Sequence, residues 1–153
     1  MPCVVLNRQR GVVVSRRHLA RAAERTLVAL GRTGARVEVA LVDDDEIRRL
    51  NRAWRGVSRR TDVLAFPLET LGIGGLVGEV VISAETAARQ GRRLGVPVIA
   101  ELELLVTHGV LHLVGYDDRD PVEARLMHER EHAILSARRR RVPARLWEGL
   151  LTV

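Results

Sequence analysis

Val4, Val5 and Leu6, and then Val12–Val14, form short apolar runs on either side of an arginine-containing turn, the pattern of edge-strand material. Ser15 can cap a helix from Arg16 to about Leu30, in which Leu19, Ala23, Leu27 and Leu30 recur at helical spacing and Gly31 supplies the stop. Arg36–Val42 is rich in β-branched residues and partly alternating, so it predicts a strand. The acidic run Asp43–Glu46 comes next, placed where carboxylates favour the positive end of a helix that carries Ile47, Leu50 and Trp54. Thr61–Phe66 and Glu79–Ser83 predict two further strands, joined through a glycine-rich stretch at Leu71–Gly78. Helices are expected over Ala84–Leu94, Pro97–Val114 and Pro121–Arg140, and both prolines suit a first helical turn. Strands interleaved with helices, followed by a helical second half, point to an α+β fold. The expectation is one domain over residues 1–153, a small mixed sheet of about four strands packed by five to six helices.

Composition narrows this picture. A lone cysteine, Cys3, excludes a disulfide framework and suits a reducing compartment. Nothing at the start resembles a secretion signal. The most apolar stretch, Val96–Val114, is interrupted by Glu101, Glu103, His108 and His112 and falls short of the ~20 apolar residues a span requires. A soluble, cytoplasmic protein with no membrane partner is therefore expected. Basic residues outnumber acidic ones by 25 to 19, a net charge of +6, and every basic residue is arginine. Codon bias accounts for the absence of lysine but leaves the positive surplus, which favours an anionic partner such as nucleic acid. Aromatic residues make up only 3% of the chain, so contacts to a nucleic acid should run mainly through its backbone.

Candidate chemistry concentrates at Thr107–Asp118. His108 and His112 lie four apart, so about 400° of helical rotation stacks both imidazoles on one face. Gly115 permits a chain reversal, and Asp118, six residues past His112, falls where a third ligand would return. Two imidazoles and a carboxylate leave a fourth tetrahedral position open, as in catalytic zinc sites. Asp117 competes for the third place, and a metal-free pair of histidines bonded to each other is the alternative. A second pattern, His128-Glu129-Arg130-Glu131-His132, matches the H-E-x-x-H of zinc peptidases. There the apolar residues Val122, Leu126, Met127, Ala133, Ile134 and Ala137 cover one side of the helix. The two histidines then project among charges on the other, and the run Arg138–Arg141 follows in place of a third ligand. This stretch reads as a solvated face.

The segment His108-Gly109-Val110-Leu111-His112-Leu113-Val114-Gly115-Tyr116-Asp117-Asp118 resembles the signature of the YbeY family, bacterial metal-dependent endoribonucleases of small-subunit rRNA maturation. Asn51-Arg52-Ala53-Trp54-Arg55-Gly56, then Thr61-Asp62-Val63-Leu64-Ala65-Phe66-Pro67, then Gly78-Glu79-Val80-Val81-Ile82-Ser83, are similar to further blocks of that family in the same order. The resemblance implies zinc held by His108 and His112, one ion per chain, with Asp118 standing where the family usually has histidine. The anionic ligand tilts preference toward harder ions such as Mn²⁺. The resemblance also implies that Asp117 supports the ligands from behind, that Arg55 acts in catalysis beside His108, and that RNA is the partner. That RNA would be an rRNA precursor within the small ribosomal subunit, cut during maturation of the 16S 3′ end and in ribosome quality control. Ala65 replaces the family's usual serine.

Physically, Arg55 could hold the scissile phosphate, and Arg59 and Arg60 could follow the RNA backbone. The implied reaction is metal-assisted hydrolysis of a phosphodiester in single-stranded RNA, the ion acidifying water and polarising a phosphoryl oxygen. The proton acceptor is open, with Glu79 and Asp62 as candidates, because Gly109 stands where zinc peptidases place their glutamate. Two other classes remain in view: a zinc peptidase-like hydrolase, and a non-catalytic RNA-binding factor of ribosome assembly. The sequence carries no sign of oligomeric state.

Overall fold

A computed structural model describes residues 3–56, 61–68, 75–138 and 142–150. Arg59, Arg60 and residues 71–74 of the expected glycine-rich stretch lie outside them; from Leu76 that stretch is strand, where a loop up to Gly78 was expected. The described elements run β1 (Val4–Asn7), α1 (Arg16–Ala29), β2 (Arg36–Val42), α2 (Asp44–Arg55), β3 (Val63–Pro67), β4 (Leu76–Ser83), α3 (Ala84–Leu94), α4 (Val98–Leu113) and α5 (Pro121–Arg138), then a 3₁₀ turn at Leu146–Gly149. The four strands form one mixed sheet in the order β1-β2-β4-β3, the α+β architecture expected. β1 and β2 are parallel, β2 and β4 are parallel, and β3 lies antiparallel to β4. This follows from the connections, since parallel neighbours need a crossover, supplied between β1 and β2 by α1.

Strand alternation gives the sheet two apolar faces. Val37, Val39, Leu41, Val80 and Ile82 pack with α1 and α4. Ala40, Val42, Leu64 and Val81 pack on the opposite side with Ile47 of α2. α4 is sheathed by the sheet, α1, α3 and α5, so from Ala100 to Leu113 every residue except His112 is buried. Gly109 is the point of closest approach: a Cβ there would lie 2.5 Å from Val80 Cγ1. A cluster of Leu94, Leu104, Leu135 and Leu146 ties α4 to α3, α5 and the 3₁₀ turn.

α2 is fixed at both ends. Asp43 caps its start by accepting from the Glu46 amide at 2.8 Å. Asp44 accepts from Ser83 Oγ, Thr86 Oγ1 and Arg89, and these bonds overcome the effect of burial and hold its carboxyl down at about 2. Gly56, at φ 71°, ends the helix in a left-handed conformation directly after Trp54 and Arg55.

Two expectations fail locally. Val12–Val14 joins no ladder; the Gln9 side chain pins this loop through Asn7 Oδ1 and the Val12 backbone, leaving Val13 96% exposed. On α5 the buried line is Met127, Glu131 and Leu135, while Val122 and Leu126 are each 54% exposed. The apolar side assigned from sequence is therefore largely the wet one.

Candidate metal centre and its cleft

The last turn of α4 and the reversal after it build the site. Gly115, at φ 107°, bonds its amide to the His112 carbonyl, and the Tyr116 amide reaches the Leu111 carbonyl at 3.0 Å. That paired closure is a Schellman motif, and it turns the chain back under the helix end. Asp118 thereby returns beneath both imidazoles. His108 Nε2 and His112 Nε2 are 3.1 Å apart, Asp118 Oδ2 lies 3.4 Å from His108 Nε2, and Asp118 Oδ1 lies 3.7 Å from His112 Nε2. Tetrahedral ligands at 2.0–2.1 Å from a zinc ion stand about 3.3–3.4 Å from one another, so these separations fit a shared ion. Among the described residues this is the one group of three or more histidine, cysteine or acidic side chains able to share one.

What lies behind the imidazoles fixes their tautomers. Glu131 on α5 is fully buried and ionised, its carboxyl held below the usual range because bonds from His108 and His128 outweigh burial. A carboxylate only accepts, so His108 Nδ1, at 2.5 Å, carries a proton and donates it to Glu131 Oε2. Glu131 Oε1 accepts in turn from His128 Nδ1 at 2.7 Å and from Trp147 Nε1 at 2.9 Å. His112 Nδ1 donates to the Tyr116 carbonyl at 3.0 Å. Both Nε2 lone pairs are therefore aimed at the common point that Asp118 faces, the arrangement in which outer partners orient metal-binding imidazoles. Burial alone would lower His108, but Asp118 and Glu131 override it and raise it to about 9. Burial and the neighbouring His108 charge push His112 down.

Sequence reasoning missed Glu131. Its signal is the spacing of Met127, Glu131 and Leu135, a four-residue repeat that puts an acid in the middle of the buried stripe. The H-E-x-x-H pattern around it is not a second centre. His128 is half-buried and stacks on His108 at 6.5 Å, whereas His132 is exposed and stacks on Trp147 at 5.3 Å.

Asp117 sits beside the centre with its carboxylate turned to the amides of Asp118 and Arg119 and to the Arg119 guanidinium. It braces the turn that delivers Asp118. Neither expected proton acceptor reaches the centre. Glu79 alternates with Val80 and faces Arg8, Glu38 and Glu46 on the α2 side of the sheet, opposite α4. Asp62 is buried near Glu101, which lies seven residues before His108, about 10 Å back along α4.

The centre opens into a cleft of about 590 Å³. One wall is β3, an outer strand of the sheet, from Val63 to Pro67; Trp54 and Arg55 from the end of α2 and Arg119 from the turn complete the rim. Arg55 is exposed there. Ala65 lines the same wall. No described helix is long and apolar enough to cross a membrane.

Comparison with known proteins identifies the family. Residues 5–139 match the family model described as Endoribonuclease YbeY. The Endoribonuclease YbeY of Anaeromyxobacter dehalogenans is 49% identical over 128 residues, 83% of this chain and 66% of that protein. Its counterpart in another Anaeromyxobacter, strain Fw109-5, is 49% identical over 141 residues, 92% of this chain and 72% of the relative. The solution structure of a Thermotoga maritima protein superposes with a TM-score of 0.61 at 27% identity, covering 95% of this chain and 89% of that one. From the match across nearly the whole chain, the chain belongs to the endoribonuclease YbeY family.

Proposed function

We propose that this chain acts as one metal-dependent endoribonuclease domain that hydrolyses phosphodiesters in single-stranded RNA. The observation that carries the reading is the convergence of His108 Nε2, His112 Nε2 and an Asp118 oxygen at the head of an arginine-rimmed cleft. These three residues would hold one divalent ion, Zn²⁺ or, given the carboxylate, a harder ion such as Mn²⁺. When bound, the ion supplies Lewis acidity toward water and the scissile phosphate. Glu131 keeps the His108 proton on Nδ1, so Nε2 stays a ligand. Arg55 presents its guanidinium to the phosphate and stabilises the negative charge that develops as the ester breaks. Asp117 holds the Asp118 turn in place. Arg59 and Arg60, outside the described residues, are proposed to contact the RNA backbone.

Family membership supports RNA as the substrate, and precursor rRNA of the small subunit, with its 16S 3′ end and its quality control, is the biological target proposed, in the cytoplasm. The cleft beside an outer strand would also admit an extended peptide, the one feature that favours a peptidase. Against this, a side chain at 109 would be driven into Val80, so no glutamate can stand where peptidases keep theirs. The test is cleavage of an unstructured RNA and of casein side by side, with chelator and then with Zn²⁺ or Mn²⁺ restored. Metal-restored RNA cleavage with intact casein is expected; casein digestion, or RNA cleavage indifferent to chelator, overturns the reading.

A further inference from the structure

Four aromatic residues serve the whole chain: two tryptophans, one tyrosine and one phenylalanine. Three of them, Trp54, Phe66 and Tyr116, line the metal cleft, and the fourth, Trp147, donates to Glu131 behind it. Scarcity in composition thus conceals concentration at one place. Trp54 stands apart within this group. It is 71% exposed, the one aromatic among the exposed large apolar side chains of the described residues. An indole left in water forgoes burial that a folding chain ordinarily captures. Phe66 on β3 braces it in a T-shaped contact, with ring centroids 6.1 Å apart and planes at 67°, without covering it. The next residue, Arg55, puts a cation on the same rim.

We infer that Trp54, braced by Phe66, is a stacking platform that receives one unpaired base of the RNA beside the metal centre. The inference rests on the nuclease reading above and adds to it a positioning residue and a nucleotide subsite. Every base offers a π-face, so a platform of this kind tolerates sequence while rejecting a base already stacked within a duplex. An adjacent guanidinium is suited to the phosphate that follows the stacked base. Because stacking grows with ring area, a purine at the platform should bind better than a pyrimidine. An exposed apolar patch without flanking cations would fit a protein partner equally well; the position of Arg55 and the metal-ligand group on the same cleft favours a nucleotide.

The test uses the full chain, metal-free for binding and loaded with Zn²⁺ for cleavage, and an unstructured, fluorescently labelled RNA, comparing wild type with Trp54→Ala and Trp54→Phe. Single abasic nucleotides are placed in turn along the strand. Anisotropy reads binding in chelator, where nothing is cut, and steady-state cleavage reads KM and kcat. Trp54→Ala is expected to weaken binding and raise KM by roughly 5- to 150-fold, with kcat changed by less than about threefold, and Trp54→Phe to recover most of the loss. One abasic position should reproduce the loss in wild type and add nothing in Trp54→Ala. The melting temperature of Trp54→Ala should stay near that of wild type, because the ring is mostly in solvent.

Binding by Trp54→Ala within about twofold of wild type, or an abasic penalty that adds in full to it, overturns the platform. If wild type cuts RNA with metal while Trp54→Ala is indifferent, the nuclease reading stands and the platform falls. If binding depends on Trp54 but no metal supports cutting, the platform stands and the nuclease reading falls. Trp54→Ala that binds RNA normally yet loses a protein partner identifies the patch as a protein contact and likewise overturns the platform.

Discussion

Metal uptake should release a proton at neutral pH, because the imidazole that must become a ligand is cationic before the ion arrives. In the metal-free protein His108 titrates at about 9, held up by Asp118 and Glu131 against the effect of burial. An ion needs the neutral ring. At pH 7 that leaves about two pH units to overcome, which costs roughly 2.7 kcal/mol and weakens apparent affinity about 100-fold relative to pH above 9. Affinity should rise by close to tenfold per pH unit from about 7 to 8 and level off above 9, His112 and Asp118 being shifted the other way, below their ordinary values. Chelator-competition titrations at four pH values read the slope, and calorimetry in two buffers of different ionisation enthalpy counts the protons. About one proton per ion at pH 7 is expected. The control is Glu131→Gln, which removes one of the two carboxylates that charge His108 and should lower the count. Protons from any other source are common to both proteins. An affinity flat from pH 6.5 to 9, or a count unchanged by Glu131→Gln, would refute the reasoning.

Other outcomes follow from the same geometry. Because His108 titrates above its ordinary 6.5, its contribution to the metal-free fold is complete below about pH 6.5 and is lost as pH rises through 9; metal-free thermal stability should decline across that window, by up to about 3 kcal/mol. Gly109→Ala should lower the urea midpoint by about 1–3 kcal/mol of stability despite its better helix propensity, and Val80→Ala in the same chain should recover part of the loss. Asp118→His should retain the ion and shift preference from Mn²⁺ toward Zn²⁺ in competition binding, whereas Asp118→Ala should shed it; Asp117→Asn, which disturbs only the supporting turn, should weaken binding about 10- to 100-fold.

The parts of this site carried by local rules were legible in the sequence. Two histidines four apart on an apolar helix, a glycine to reverse the chain and an acid at the return position are set by helical geometry alone, and α4 and the Gly115 turn follow them. Glu131 was missed because spacing alone does not show what satisfies a buried acid; tertiary contact does. A charged residue between Met127 and Leu135 looks solvated until α5 is laid against α4, where His108, His128 and Trp147 satisfy it. Val12–Val14 failed for a related reason: β-branched residues favour a strand only when a ladder partner exists, and Gln9 ties this loop to itself. The aromatic fraction counts residues without locating them: three of the chain's four rings line one cleft, a placement that an average hides.

Elemental analysis of purified protein, taken together for wild type, His112→Ala and His132→Ala, tests the metal assignment most directly. His112 contributes a ligand atom to the converging group, while His132 lies exposed on α5 against Trp147. About one divalent ion per chain is expected in wild type and in His132→Ala, with most of it lost in His112→Ala. Full retention in His112→Ala combined with loss in His132→Ala would place the ion at the other histidine pair and contradict the centre described here.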